Sequence, residues 1–147
     1  MTHKSRLEDL RLEDFLAHIQ ESINRIFAYT KPLSEQDFLS NAMVQDAVVR
    51  NFEIMEEAAH HVLDRCQNLV SNDEQTALKN AYKMRNVLVH GYFGVDHATV
   101  WDTIQTDLSV LKQKIDGMMA EHGKSEEHTL DEPLNEEEPD IGDDFGL

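Results

Sequence analysis

Apolar residues recur every three or four positions along most of the first 118 residues, which is the spacing expected for one face of an α-helix. Gly and Pro are absent from residues 1–31, 33–90 and 95–116, so the pattern runs through three long uninterrupted segments. Short linkers between amphipathic helices are typical of helical bundles. The pattern therefore predicts an all-α fold of four main helices plus a short one.

The first predicted helix ends before Pro32, because the residue before a proline is disfavoured in the helical conformation. Its apolar stripe consists of Leu12, Phe15, Leu16, Ile19, Ile23, Ile26 and Phe27. Ser34 and Asp37 then have the spacing of a capping box, in which each residue bonds to the backbone of the other. They predict the short helix, which extends through Leu39.

The second predicted helix runs roughly from Ala42 to Val70. The third is predicted to begin after a cap at Ser71 or Asn72. The fourth is predicted to begin after a cap at Asp96, with Val95 as a hydrophobic staple. The inward side chains predicted for the second helix are Val44, Ala47, Val48, Met55, Ala58, Val62, Cys66 and Leu69. Those of the third are Leu78, Ala81, Tyr82 and Leu88. Those of the fourth are Val100, Trp101, Ile104, Leu108, Leu111, Ile115 and Met118.

Charge divides the chain into two parts. The formal net charge is −16, and residues 124–147 carry −9 of it, from ten acidic residues and one lysine. That segment has no apolar period and contains two prolines and two glycines, so it is predicted to be a disordered acidic tail. The predicted domain is residues 1–123, with a net charge of −7. An acidic domain is a poor electrostatic match for nucleic acid, so any such function needs a local basic site.

Several classes of protein are disfavoured by the sequence. No run of about 18 apolar residues is present, so no transmembrane helix is predicted. The first fifteen residues lack the apolar region of a secretory signal. A single cysteine, Cys66, cannot form a disulfide framework or a thiolate zinc site. A cytoplasmic protein that needs no cofactor or metal is expected.

The segment Met84–Gly94 carries the candidate chemistry. Asn86 and His90 are four residues apart and would project from one face of a helix, with Gly91 as the residue that ends it. The helix dipole at such an end favours protonated histidine. A cationic Arg85 beside a proton-exchanging histidine suits phosphodiester cleavage, because arginine offsets phosphorane charge while histidine moves a proton. From spacing alone, a histidine that caps the helix end or pairs with a carboxylate, and an Arg85 paired with an acid, are more common than a catalytic pair.

Arg85, His90 and Tyr92 reproduce the R-x4-H-x-Y motif of HEPN ribonucleases. The chain resembles the HepT-like toxin branch in particular over roughly residues 5–118, including the flanking segments QDAVVRN (45–51), MRNVLVH (84–90), YFGVD (92–96) and VWDTI (100–104). One departure is Glu56, where the family pattern has glycine before the Glu57-Ala58 pair. The acidic tail lies outside the resemblance.

The resemblance implies a HEPN-type bundle and a metal-independent endoribonuclease, the toxin of a type VII toxin–antitoxin system. It implies a homodimer with a shared cleft, RNA as substrate, and a minimal nucleotidyltransferase (MNT-type) antitoxin as partner. By the same resemblance, Arg85 and His90 are the catalytic pair, Asn86 a positioning residue, and Tyr92 the residue silenced by AMP transfer. The rival interpretation is a non-catalytic HEPN dimer that binds a nucleotide or the nucleotidyltransferase.

Two further sets of residues have a spacing that suggests a function. Lys79 and Lys83 are four residues apart on the motif helix, where they either extend a phosphate track or belong to a solvated face. Glu57 and His60 have the Glu-x-x-His spacing of di-iron bundles, but the domain contains no second copy, which argues against a di-metal oxidase. His60 and His61 point about 100° apart on an ideal helix, so one of them is expected at the surface.

The sequence does not indicate which RNA is cleaved, or which surface forms the dimer.

Overall fold

The computed structural model describes residues 3–88 and 94–130, and the described chain is helical as predicted. The helices are α1 (His3–Thr30), α2 (Glu35–Leu39), α3 (Ala42–Arg65), α4 (Asn72–Lys83), α5 (Arg85–Leu88) and α6 (His97–Leu130), with a 3₁₀ turn at Gln67–Leu69. Four long helices and the short α2 confirm the predicted all-α architecture. The 3₁₀ turn and the four-residue α5 were not predicted.

The core lies where α1 packs against α3 and α6, with α4 packed against α3 and α6 on the other side. The apolar side chains predicted to face inward on the first, second and fourth helices are buried or packed against the core, except Ala47, which is only partly buried. Gln20 on α1 also donates a hydrogen bond to Asp116 on α6, at 2.7 Å. In the described ranges, no helix is both long and apolar enough to cross a membrane.

The predicted capping residues are confirmed by their hydrogen bonds. Ser34 accepts from the Asp37 N–H while the Asp37 carboxylate accepts from the Ser34 N–H, both at 3.1 Å. Ser71 and Glu74 form the same reciprocal box at the start of α4. The Asp96 carboxylate accepts from two N–H groups in the first turn of α6. Local sequence therefore sets where three of the helices begin.

Three predicted helix details are wrong. The second helix ends at Arg65 instead of Val70, because the chain tightens into a 3₁₀ turn after Cys66. The third ends at Lys83, because the Met84 N–H divides its hydrogen bond between the carbonyls of Asn80 and Ala81 and the α-helical ladder stops there. Tyr82 was predicted to face inward, but it is 36% exposed. Its ring lies at the edge of α4 beside α3, outside the core.

The fourth long helix extends farther than its apolar stripe. The stripe ends at Met118, yet α6 continues to Leu130, seven residues into the segment predicted as an acidic tail. Gly123 interrupts it only weakly, because a glycine lowers helix stability by about 1 kcal/mol without blocking the backbone. Residues 131–147, the remainder of that segment, lie outside the described residues, and the boundary between domain and tail stays a prediction.

Candidate functional site

Arg85 and Asn86 are presented to solvent by a short helix that is anchored on both sides. Met84 and Leu88, four residues apart, are 8% and 7% exposed and belong to the core. Arg85 and Asn86 lie between these anchors and are exposed. The alternation of apolar anchors and polar residues in this segment therefore turns both motif side chains outward.

The Arg85 side chain lines a cavity of about 300 Å³ between α3, α4 and α5. The wall opposite Arg85 is a stripe of α3 at positions 53, 56, 57 and 60, which share one helix face. The lining residues are Glu53, Glu56, Glu57, His60, Tyr82 and Arg85. Among the described residues that line the cavity, a single guanidinium thus stands with three carboxyl groups.

Glu56 differs from the other two acids because its side chain is buried. It is 6% exposed, whereas Glu53 and Glu57 are exposed. Burial raises the pKa of Glu56 to about 7, an effect that the Arg85 guanidinium opposes and the neighbouring Glu53 carboxylate reinforces. No donor among the described residues bonds its Oε1 atom. The charge state of this carboxyl therefore changes near neutral pH.

The two histidines of α3 point to different surroundings, as their adjacency predicts. His60 is exposed, and its ring lies 5.4 Å from that of Tyr82, centroid to centroid. His61 stacks on Phe15 of α1 at 5.2 Å, and its Nε2 lies 3.8 Å from the Glu57 Oε1. Across residues 3–88 and 94–130, no three His, Cys, Asp or Glu side chains are arranged to hold a metal ion.

The two candidate lysines do not share the Arg85 cavity. Lys83 lines a separate groove of about 400 Å³ between α4 and α6, together with Lys114 and Asp107. Lys79 is exposed on α4 and lines neither space. Neither lysine lines the cavity of Arg85, and their contact with RNA stays a prediction.

His90 and Tyr92 lie outside the described residues. Of the Arg-Asn-x3-His-x-Tyr set, the structure places Arg85 and Asn86, which are adjacent and both exposed. The burial of Glu56 was not predicted, although a sequence signal for it exists. Phe52 and Ala59, four residues before and three after it, are apolar and lie on its helix face. Both are buried, so the buried face of α3 is wider than the predicted stripe and extends toward Glu56.

An acidic helical bundle that exposes an arginine at a cavity and an asparagine beside it in sequence, followed by a histidine and a tyrosine at motif spacing, defines a HEPN-type protein. The family model described as "Ribonuclease HepT-like" matches residues 19–118, which is most of the chain. The chain belongs to the HepT-like ribonuclease family.

Proteins from two archaea are similar to this chain in sequence. The chain is 33% identical to a Thermococcus cleftensis protein named "Probable ribonuclease HepT" over 104 residues, which are 71% of this chain and 92% of that protein. It is 35% identical to a Methanocaldococcus jannaschii protein named "Gamma-glutamylcyclotransferase and putative RNase" over 111 residues, which are 76% of this chain. The chain spans only about half of that longer protein, 49% of its length. No solved structure matches the chain.

Proposed function

We propose that this protein is a metal-independent endoribonuclease and the toxin of a type VII toxin–antitoxin pair. The observation that carries the proposal is membership of the HepT-like ribonuclease family together with an intact Arg-Asn-x3-His-x-Tyr sequence. The exposure of Arg85 at a cavity and of Asn86 at the neighbouring surface supports it, because a phosphate can reach both side chains. Two copies of the chain, acting in the cytoplasm, would contribute their motifs to one cleft.

Cleavage would proceed by attack of a ribose 2′-hydroxyl on the adjacent phosphorus. The 2′-oxygen forms a bond to phosphorus and loses its proton, while the bond from phosphorus to the leaving 5′-oxygen breaks and that oxygen gains a proton. The products are a cyclic phosphate on the 5′ fragment and a free 5′-hydroxyl on the other. His90 transfers a proton as general base or general acid, Arg85 stabilises the charge on the phosphorane, and Asn86 orients the phosphate.

Silencing would act on Tyr92. The MNT-type nucleotidyltransferase antitoxin transfers AMP from a nucleoside triphosphate to the tyrosine hydroxyl, and pyrophosphate leaves. The attached phosphate and adenosine would block the cleft sterically and repel the RNA backbone. Intact mass after incubation with the antitoxin and ATP tests this step. We expect wild type and Tyr82→Phe to gain one AMP, whereas Tyr92→Phe gains none. Modification of Tyr92→Phe would refute the assignment.

The decisive test of the nuclease is RNA cleavage in EDTA by protein whose Tyr92 is unmodified by intact mass. Arg85→Ala and His90→Ala are expected to lose at least about a hundredfold in cleavage rate, because each removes a group that acts on the transition state. Matched controls are Arg65→Ala and His18→Ala, which replace exposed side chains outside the cavity. Cleavage that survives in His90→Ala, or that disappears equally in the controls, would reject the proposed roles.

A second candidate function is a non-catalytic HEPN dimer that binds a nucleotide or the nucleotidyltransferase. The observation that favours it is the acidity of the chain, including three carboxyl groups around Arg85. The motif argues for the nuclease, since binding alone has no chemical need for an arginine and a histidine at this spacing. Absence of cleavage by the unmodified protein on transfer, messenger and total cellular RNA would favour the binding module.

A further inference from the structure

The Arg85 cavity contains a buried carboxyl group that the proposed reaction does not use. Glu56 is 6% exposed, and its Oε1 atom has no hydrogen-bond donor among the described residues. It lines the same cavity as the guanidinium of Arg85, yet the two side chains form no ion pair in the described part of the chain. A buried and unpaired carboxylate is costly, so the group is stable there only when it is neutral or when a cation compensates it.

The described groups around Glu56 include few that could supply a compensating positive charge. Glu53, Glu57 and His60 face the cavity from α3, Tyr82 faces it from α4, and Arg85 faces it from α5. Among the described residues, Arg85 and Glu53 are the charged groups that change the pKa of Glu56, and none on α1 or α6 does so. A bound phosphodiester would add a further negative charge to the cavity. Phosphate and the Glu56 carboxylate would then compete for one guanidinium.

We propose that Glu56 couples the binding of an RNA phosphate at Arg85 to the uptake of up to one proton, by the fraction of the protein in which Glu56 was ionised. When Glu56 is neutral, the guanidinium of Arg85 is free to pair with the phosphate. When Glu56 is ionised, its charge opposes the phosphate inside the same cavity. The proton comes from solvent when RNA binds and returns to solvent when the product leaves. This inference rests on the proposed function, because it takes RNA as the ligand of the site.

Glu56 has this role, and the two other acids do not, because of burial. Glu53 and Glu57 are exposed, and water screens their effect on a bound phosphate. The Glu56 carboxyl has little water around it, so its charge is screened less and acts on the guanidinium more strongly than theirs. Since burial brings the pKa of this carboxyl to about 7, both of its charge states are populated at neutral pH.

The test is the affinity of the full chain for 2′-O-methyl RNA, which binds but lacks the 2′-hydroxyl needed for cleavage. Binding is measured by fluorescence anisotropy at pH 6 and pH 8, at constant ionic strength, for wild type and Glu56→Gln. Glutamine keeps the shape of the neutral side chain and cannot ionise. At pH 8 a carboxyl with a pKa of about 7 is neutral about one-tenth of the time. Glu56→Gln is therefore expected to bind up to about tenfold more tightly than wild type at pH 8 and equally at pH 6.

Comparison of the two proteins separates Glu56 from other titrating groups. Any pH dependence that arises from histidines, including His90, is present in both and cancels. The control is Asp64→Asn, which removes an exposed carboxylate of α3 outside the cavity and should follow wild type at both pH values. A structural effect of the glutamine would change affinity equally at pH 6 and pH 8.

The outcomes separate the inference from the proposed function. An affinity ratio between Glu56→Gln and wild type that grows from pH 6 to pH 8 supports proton coupling. Clear RNA binding with the same ratio at both pH values overturns the inference and leaves the nuclease standing. Absence of RNA binding by every protein at both pH values overturns the proposed function and this inference together.

Discussion

The imidazole of His60 and the phenol ring of Tyr82 lie 5.4 Å apart, centroid to centroid, with their planes inclined by 32°. This contact joins α3 to α4 at the wall of the cavity that Arg85 lines. Because α5 begins two residues after α4 ends, the position of Arg85 depends on how α4 sits against α3. The contact between the two rings therefore helps to set the position of Arg85 at the candidate site.

Removal of this contact is expected to destabilise the fold modestly. Tyr82→Ala should lower the free energy of unfolding by about 1 kcal/mol, since aromatic pairs contribute about 0.5–1.5 kcal/mol beyond their buried area. Chemical denaturation measures the change. Tyr29→Ala is a matched control, because Tyr29 is 38% exposed against 36% for Tyr82. Equal losses in the two variants would show that the His60–Tyr82 contact contributes nothing of its own.

Glu56 should make the stability of the protein depend on pH. Its folded-state pKa of about 7 lies above the usual value of 4.5, so the folded protein holds a proton that the unfolded chain releases. Stability therefore falls as pH rises from about 4.5 through 7, by about 1–3 kcal/mol in total.

Glu56→Gln should remove this fall and be more stable than wild type at pH 8. Denaturation of both proteins at pH 5 and pH 8 measures it, and their comparison cancels the titration of the histidines. Asp64→Asn, an exposed change on the same helix, should behave as wild type. A stability difference between Glu56→Gln and wild type that stays constant with pH would contradict a raised pKa for Glu56.

Much of the fold could be predicted because the decisive signals are local. The apolar stripes of α1, α3 and α6 repeat at helical spacing, and the caps at Ser34, Ser71 and Asp96 each depend on residues three positions apart or fewer. The break in the helix at Met84 could not be predicted, because a backbone N–H that bonds to two carbonyls does not require any particular side chain. An ideal helix drawn through the motif therefore gives the wrong geometry for Arg85 relative to residues 72–83.

The candidate site was predicted only in part for a similar reason. The motif residues follow from the sequence, but the acids opposite Arg85 come from α3, about thirty positions earlier. Their position depends on how α3 packs against α4, which periodicity within one helix does not indicate. In the sequence, Glu56 is distinguished only as a departure from the family pattern, and its burial depends on the same packing.

The capping box at the start of α4 offers a direct test of local stability. The Ser71 hydroxyl accepts from the Glu74 N–H at 3.1 Å, and the Glu74 carboxylate accepts from the Ser71 N–H at 2.9 Å. Ser71→Ala leaves one of these N–H groups without its acceptor and should lower the free energy of unfolding by about 1 kcal/mol. Ser109→Ala, at an exposed position within α6, should change it by less than about 0.5 kcal/mol. A loss in Ser109→Ala as large as that in Ser71→Ala would contradict the capping role.

Leu88 is the apolar anchor that follows Arg85 and Asn86, and it ends α5 at 7% exposure. Leu88→Ala should lower the free energy of unfolding by about 2–4 kcal/mol, through lost burial and the cavity that remains. Val110→Ala is the control, because Val110 is 55% exposed and its loss should cost less than about 0.5 kcal/mol. Denaturation measures both changes.

The same variant should lower RNA cleavage more than it lowers the folded fraction. A loosened α5 no longer holds Arg85 at the cavity, and small displacements of a catalytic group are costly in rate. If Leu88→Ala does not fold, Leu88→Val gives the milder test, with a stability loss of about 1 kcal/mol. Cleavage by a folded Leu88 variant at the wild-type rate would show that Arg85 is positioned without its anchor, and would assign Leu88 to stability alone.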